Sequence, residues 1–280
     1  KRYMHSFQYH LGIDLHRKTS YWTLIDGERK VLYKKNLSTT KEGIEQGIAD
    51  MGISPALVEA AIEPVSQWGW YGDCLAEKGM TVRLVDVYKT KLIAGTKLKN
   101  DKVAALALAE LLRSDFLPTA YRAPEKTRDM REFMRHRAFL VRLRARIRGR
   151  VHQILWKHGI ISPWSDLFGI KAQQWLGKLT LRSPYKEERE ELTAMWRDIS
   201  ERLALHNRTC DEMGTRNLQA GLLMSIPGIG IITSLTILAE VGDFSRFSSP
   251  DKLACYAGLV SSSYSSGERT RLGHITHRGS

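Results

Sequence analysis

From position 9 to position 87 short apolar runs are separated by turn residues, and their spacing changes from strand-like to helical and back. YHLGIDLH and SYWTLID flank the turn RKT, and KVLYKKNL follows, which predicts three hairpin-connected strands. In STTKEGIEQGIADMG the spacing becomes helical, with Thr40 placed to cap the N-terminus and Gly52 to stop the helix. LVEAAIEP reads as a strand closed by Pro64, QWGWYGDCLAEKG as a helix, and MTVRLVDV as another strand. Three strands followed by β-α-β units predict a mixed sheet covered by helices, an α/β layout of the kind found in nucleases.

Further on the period lengthens. Over 125–158, Phe133, Leu140, Ile147 and Ile154 recur every seven positions, joined by Met134, Val151 and Leu155. Over 184–216, Leu192, Met195, Ile199, Leu203, His206 and Cys210 keep a three-four spacing. Two long helices with matching seams predict an antiparallel hairpin. The stretch between them carries Gly159, Pro163, Trp164 and Trp175, which predicts a small folded tip.

Charge changes the picture most along the first of these helices. The formal net charge is +13, a surplus that favours polyanions such as nucleic acid or, less often, an anionic membrane surface. Ten Lys or Arg fall between Lys126 and Arg150, against Asp129 and Glu132. Helical geometry sorts the arginines into two ridges, Arg142/Arg146/Arg150 and Arg137/Arg144/Arg148, one on each side of the seam. With so few local Glu partners, nucleic-acid phosphates are the expected neutralising groups.

Other classes recede. Cys74, Cys210 and Cys255 are far apart, with no CxxC pair to suggest zinc and no even set to suggest disulfides. The most apolar stretch, 226–242, holds Pro227, three glycines and two threonines, too short and interrupted for a membrane span. No signal peptide precedes the first strand, so a soluble cytoplasmic chain is expected, in a prokaryote and nucleoid-associated when bound to DNA.

Three carboxylates stand out, two of them where a carboxylate is costly. Asp14 lies inside the apolar run LGIDL, Glu63 ends AAIEP, and Asp101 opens the Ala/Leu-rich helix NDKVAALALAELL. Each alone has a structural reading as a turn, an ion pair or a helix start. Together, brought from two strands and a helix, they favour divalent metal held against a phosphodiester. Gly228-Ile229-Gly230 either exposes backbone N–H groups to a DNA phosphate or is a tight turn that needs glycine. The tract SSSYSSG at 261–267 is by composition a flexible linker, or else one of its serines does chemistry.

GIDLHRK, AIEP, KNDKVAALALAELL, IPGIGIITSLTILAEVGDFSRF and YAGLVSSSYSSGERTRLGHITHRG, in this order and spacing, resemble the IS110/IS1111 family of insertion-sequence transposases over nearly the whole chain. The resemblance implies three regions. Residues 1–122 would be a RuvC-like, RNase H-type α/β domain with a DEDD carboxylate set, and 123–216 a long coiled-coil hairpin. Residues 217–280 would be a small, mostly α-helical transposase domain with a helix-hairpin-helix-like element and a nucleophilic serine, cut short at its C-terminal end.

The resemblance also implies residue roles. Asp14, Glu63 and Asp101 match the first three carboxylates, holding Mg²⁺ or Mn²⁺, while the fourth position falls on Ala104 and leaves the set one ligand short. Ser266, with Ser265 as the alternative, matches the serine nucleophile, and Arg269 and Arg271 would steady the transferring phosphate. Donor and target DNA and a noncoding guide RNA, the bridge RNA, are the implied partners, held by the arginine ridges and by Gly228 and Gly230. A dimer or tetramer is expected from the need for several cuts. The rival readings are a RuvC-like metal-dependent nuclease in which water attacks, and a catalytically inactive nucleic-acid-binding form.

Overall fold

The computed structural model describes residues 7–94, 100–266 and 269–275, with the backbone alone for Ala94, 263–266 and 269–272. The chain divides into two compact units, Lys1–Ala123 and Pro124–Ser280.

In the first unit, β1 (Tyr9–Leu15), β2 (Thr19–Asp26) and β3 (Val31–Ser38) lead into α1 (Lys41–Met51). Then come β4 (Val58–Ile62), α2 (Trp68–Glu77), β5 (Thr81–Val85), α3 (Val87–Ala94), α4 (Asp101–Arg113) and the short β6 (Thr119–Ala120). The sheet order is β3-β2-β1-β4-β5-β6. β1 pairs antiparallel with β2 and parallel with β4, so a hairpin edge is fused to a parallel centre. The local signals explain α1: the Thr40 side chain accepts the Gly43 N–H, and Gly52 ends the helix in the left-handed region, which glycine enters without a Cβ penalty.

Strand alternation sorts this unit into two packed layers. Leu11, Ile13 and Leu15 of β1 join Trp22, Val58, Ala60 and Ile62 in the main core, with Ile44 of α1 and Tyr71 and Leu75 of α2. Polar atoms within that core are paired, since Trp22 Nε1 donates to the Tyr71 hydroxyl at 2.8 Å and Ser20 lies 2.8 Å from the same oxygen. The opposite face carries α4, where Leu108 and Leu112 pack on Ala61 and Val85.

The second unit is built on two long helices, α5 (Glu125–Lys157) and α7 (Tyr185–Thr215), joined through α6 (Ile170–Lys178). Pairing of Met134 with Cys210, Arg137 with Asn207 and Arg150 with Glu188 sets them antiparallel. Leu140, Ile147, Ile199 and Leu203 fill the seam. Met195 does not belong to it: it is 56% exposed, and Trp196 one position on packs inward instead. The tip is folded, with Leu167, Phe168 and Leu176 against Val151 and Leu155. After α7 come α8 (Leu218–Met224), α9 (Ile231–Val241), α10 (Pro250–Tyr256) and a hairpin of β7 (Ser261–Ser266) with β8 (Arg269–Ile275). Met134, Cys210, Ala220, Leu235 and Ala239 share one core, which ties α8 and α9 to the long helices across the 216/217 boundary expected from sequence.

Candidate metal centre and nucleic-acid surface

While the odd positions of β1 enter the main core, Gly12 and Asp14 face α4. A Cβ at Gly12 would collide with the Ala105 carbonyl oxygen and lie 2.6 Å from the Ala109 nitrogen, so only glycine lets the helix backbone rest on the strand. Two residues further along β1, Asp14 meets the first turn of the same helix, where Asp101 stands and the Asn100 side chain caps the Lys102 N–H. His16, the first residue after β1 ends, completes the group. Its Nε2 lies 3.4 Å from Asp14 Oδ2 and 3.5 Å from Asp101 Oδ1. One ligand atom from each of the three residues falls within 4.8 Å of the other two. The backbone of His16 is fixed on both sides: its N–H donates to the Thr19 carbonyl and its carbonyl accepts from Thr39 Oγ1, each at 2.9 Å.

Glu63 is the first residue after β4; it is not in that group of three, but it lies close enough to feel the charge of Asp14. The last register pair of β1 with β4 is Ile13 with Ile62, one residue before Asp14 and Glu63 in each chain segment. Burial raises the Asp14 carboxyl above its ordinary value, with His16 pulling it down and the charge of Asp101 adding to the rise. Glu63 is raised first by burial and then by the charge of Asp14, against the pull of Lys91 and His16. Both carboxylates are thus costly to ionise together, the condition a bound cation relieves. The donor set of carboxylate oxygens with one imidazole nitrogen fits a divalent cation. Ala104, one turn beyond Asp101 and half-buried, offers only a methyl group. Sequence reasoning passes over His16; its signal is its position just past the end of the strand that carries Asp14.

The arginine ridges are more engaged than local sequence suggests. Arg150 pairs with Glu188, and Arg137 donates to Asn207 Oδ1 at 2.8 Å. Arg144 lies over the Trp196 ring at 5.9 Å, and Arg135 pairs with Glu240 at 2.8 Å. The near-absence of Glu partners expected from α5 alone is therefore corrected, since α7 and α9 supply acceptors. Arg142, Arg146 and Arg148 remain exposed, and no ion pair joins them to an acid among the described residues.

Gly228 and Gly230 lie between α8 and α9, both exposed, and a Cβ at either would meet open space. Steric crowding therefore does not require glycine there; the positive φ of Gly228, 89°, does favour it. The serine tract is strand: in the β7–β8 register Ser266 pairs with Arg269, Ser265 with Thr270 and Tyr264 with Arg271. The side chains of Ser265, Ser266, Arg269 and Arg271 lie outside the described residues, as do Gly267 and Glu268.

A six-stranded mixed sheet with helices on both faces, and a carboxylate of central strand β1 gathered with one that opens α4, is compatible with an RNase H-like α/β domain. Residues 11–159 match the DEDD transposases of IS110 type, and 220–280 match the transposase IS116/IS110/IS902 family. The chain belongs to this IS110-type transposase family. Among curated relatives it is 28% identical over 187 residues to the Sinorhizobium fredii protein named as transposase y4qE, covering 66% of this chain and 45% of that one. It is 23% identical over 282 residues to the transposase for insertion sequence element IS1111A of Coxiella burnetii, covering 96% and 73%. A family 20 transposase of Pseudomonas aeruginosa is 24% identical over 278 residues, covering 96% and 79%. The chain therefore spans less than half the length of the first of these and about three quarters of the other two.

Proposed function

We propose that this chain is a DNA transposase or recombinase that cuts strands through a covalent phosphoserine and rejoins them without net hydrolysis, guided by a noncoding RNA. The reading is carried by the gathering of Asp14 and Asp101 around His16, with Glu63 beside them, in a chain of a DEDD transposase family. Asp14, Glu63 and Asp101 would hold Mg²⁺ or Mn²⁺, and a cation bound there would neutralise and polarise the phosphodiester. The Ser266 hydroxyl, or that of Ser265, attacks phosphorus, forming a serine–phosphate ester as the sugar hydroxyl departs; a second sugar hydroxyl then displaces the serine. Arg269 and Arg271 steady the charge on the transferring phosphate. Arg142, Arg146 and Arg148, with the Gly228–Gly230 turn, hold nucleic-acid backbones. No helix among the described residues is long and apolar enough to cross a membrane, and a homodimer or homotetramer would supply the several cuts.

One observation favours a second reading. Ala104 lacks the donor that a fourth carboxylate would give, which supports a form that binds nucleic acid and cleaves poorly. The experiment is a strand-cleavage assay on cognate guide RNA and DNA, comparing the chain with Ala104→Asp and with Ala104→Asp/Ser266→Ala. Ala104→Asp is expected to raise metal-dependent cleavage by orders of magnitude and to yield a protein–DNA adduct that Ser266→Ala abolishes. Cleavage that persists without an adduct after Ser266 and Ser265 are both replaced would instead mark a nuclease in which water attacks.

A further inference from the structure

We propose that His16 Nε2 is itself a ligand of the divalent cation, standing in for a carboxylate at position 104 with a donor that serves Mn²⁺ better than Mg²⁺, so that the gain from Ala104→Asp is a gain in Mg²⁺. The inference rests on the reading of Asp14, Glu63 and Asp101 as a metal site. Geometry carries it. A histidine that merely clamped one carboxylate would sit at roughly 2.7–2.9 Å from it, whereas His16 Nε2 stands off both Asp14 and Asp101 by nearly equal distances, 3.4 and 3.5 Å. Donors held about 2.1 Å from a small octahedral cation lie roughly 3 Å from one another, close to this spacing.

The strand places the imidazole where it is needed. Gly12 and Asp14 share the β1 face that meets α4, His16 follows directly after the strand, and the hydrogen bonds at both backbone atoms of His16 hold its position. Its side chain is 52% exposed, so it stands on the solvent side of the buried Asp14, where the first turn of α4 presents Asp101 but only the Ala104 methyl. An imidazole in place of a carboxylate also lowers the negative charge of the site by one. Mg²⁺ favours carboxylate, carbonyl and water oxygens, while imidazole suits the transition metals, so the exchange shifts selectivity toward Mn²⁺.

The test uses the full chain and Mn²⁺ alone, with free Mn²⁺ counted by electron paramagnetic resonance and bound Mn²⁺ followed by electron spin-echo modulation, after ¹⁵N-histidine labelling to assign the nitrogen. Saturable binding with a histidine nitrogen coupling is expected in the parent chain. His16→Ala should abolish that coupling and raise the Mn²⁺ Kd about tenfold or more, a scale reached even by outer partners of metal ligands. His16→Asp should recover affinity and let Mg²⁺ compete better. Circular dichroism checks each fold, and the exposure of His16 favours tolerance. Binding that Asp14→Asn abolishes but His16→Ala leaves unchanged, with no nitrogen coupling, overturns the role of His16 and leaves the carboxylate site standing. No saturable Mn²⁺ binding in the folded parent chain overturns both.

Discussion

Replacing Gly12 by Ala tests how the fold brings the two aspartates together. The added Cβ would overlap the Ala105 carbonyl oxygen and stand 2.6 Å from the Ala109 nitrogen, against an ordinary separation of roughly 3.5 Å. Both obstacles are backbone, so no side-chain rotation relieves them, and α4 must retreat by roughly 1–1.5 Å. Overpacking of this kind costs about 1–3 kcal/mol and sometimes more. For a unit of this size ~2 kcal/mol lowers the melting temperature by roughly 10 °C. The retreat carries Asp101 away from Asp14 and His16, and a 1 Å misplacement of such groups can cost on the order of 100-fold in rate. Calorimetric melting and Mn²⁺ titration of Gly12→Ala provide the measurement, with Gly27→Ala as control because nothing lies within 4 Å of a Cβ there. The control should stay within about 0.5 kcal/mol of the parent. Equal stability and equal Mn²⁺ affinity in Gly12→Ala would refute the close strand–helix approach as the device that assembles the site.

Two further outcomes are expected. Asp14 and Glu63 are both raised by the fold, so without metal their contribution to stability is full below the ordinary carboxylate range and is lost as pH rises through the raised values. Compared with Asp14→Asn in metal-free melts, the parent should therefore lose ground as pH rises from about 4 to 8, and Mg²⁺ or Mn²⁺ should restore it; a gap that does not change with pH would contradict the burial of Asp14. Changing Arg142, Arg146 and Arg148 to Gln should lower the slope of log K against log salt for duplex DNA by about 0.9 for each phosphate that is no longer neutralised. An unchanged slope would remove these arginines from the interface.

What was legible in the sequence is what local chemistry decides. The α1 boundaries follow from Thr40 and Gly52, and the ends of α5 and α7 from the persistence of the seam spacing, Glu125–Lys157 and Tyr185–Thr215. Asp14 and Asp101 stood out because each interrupts or opens an apolar run. His16 did not, since its significance depends on α4 closing over β1 across more than eighty residues. The partners of Arg150 and Arg137 were hidden for the same reason: Glu188 and Asn207 come from a different helix. Met195 and Trp196 both suit the three-four spacing of α7, and only the helix facing them decides that the indole turns inward. The serine tract has a linker's composition, yet β8 pairs with its backbone, and pairing of that kind leaves no mark in composition.

The claim on which the rest depends is that this carboxylate cluster is where the chain holds its cation. Crystals of the protein soaked in Mn²⁺ and measured at a wavelength where manganese scatters anomalously address it without reference to activity. A peak is expected among Asp14 Oδ2, His16 Nε2 and Asp101 Oδ1, on the Glu63 side of β1. Manganese peaks confined to other carboxylates, with those three atoms left unliganded at saturating Mn²⁺, would contradict it.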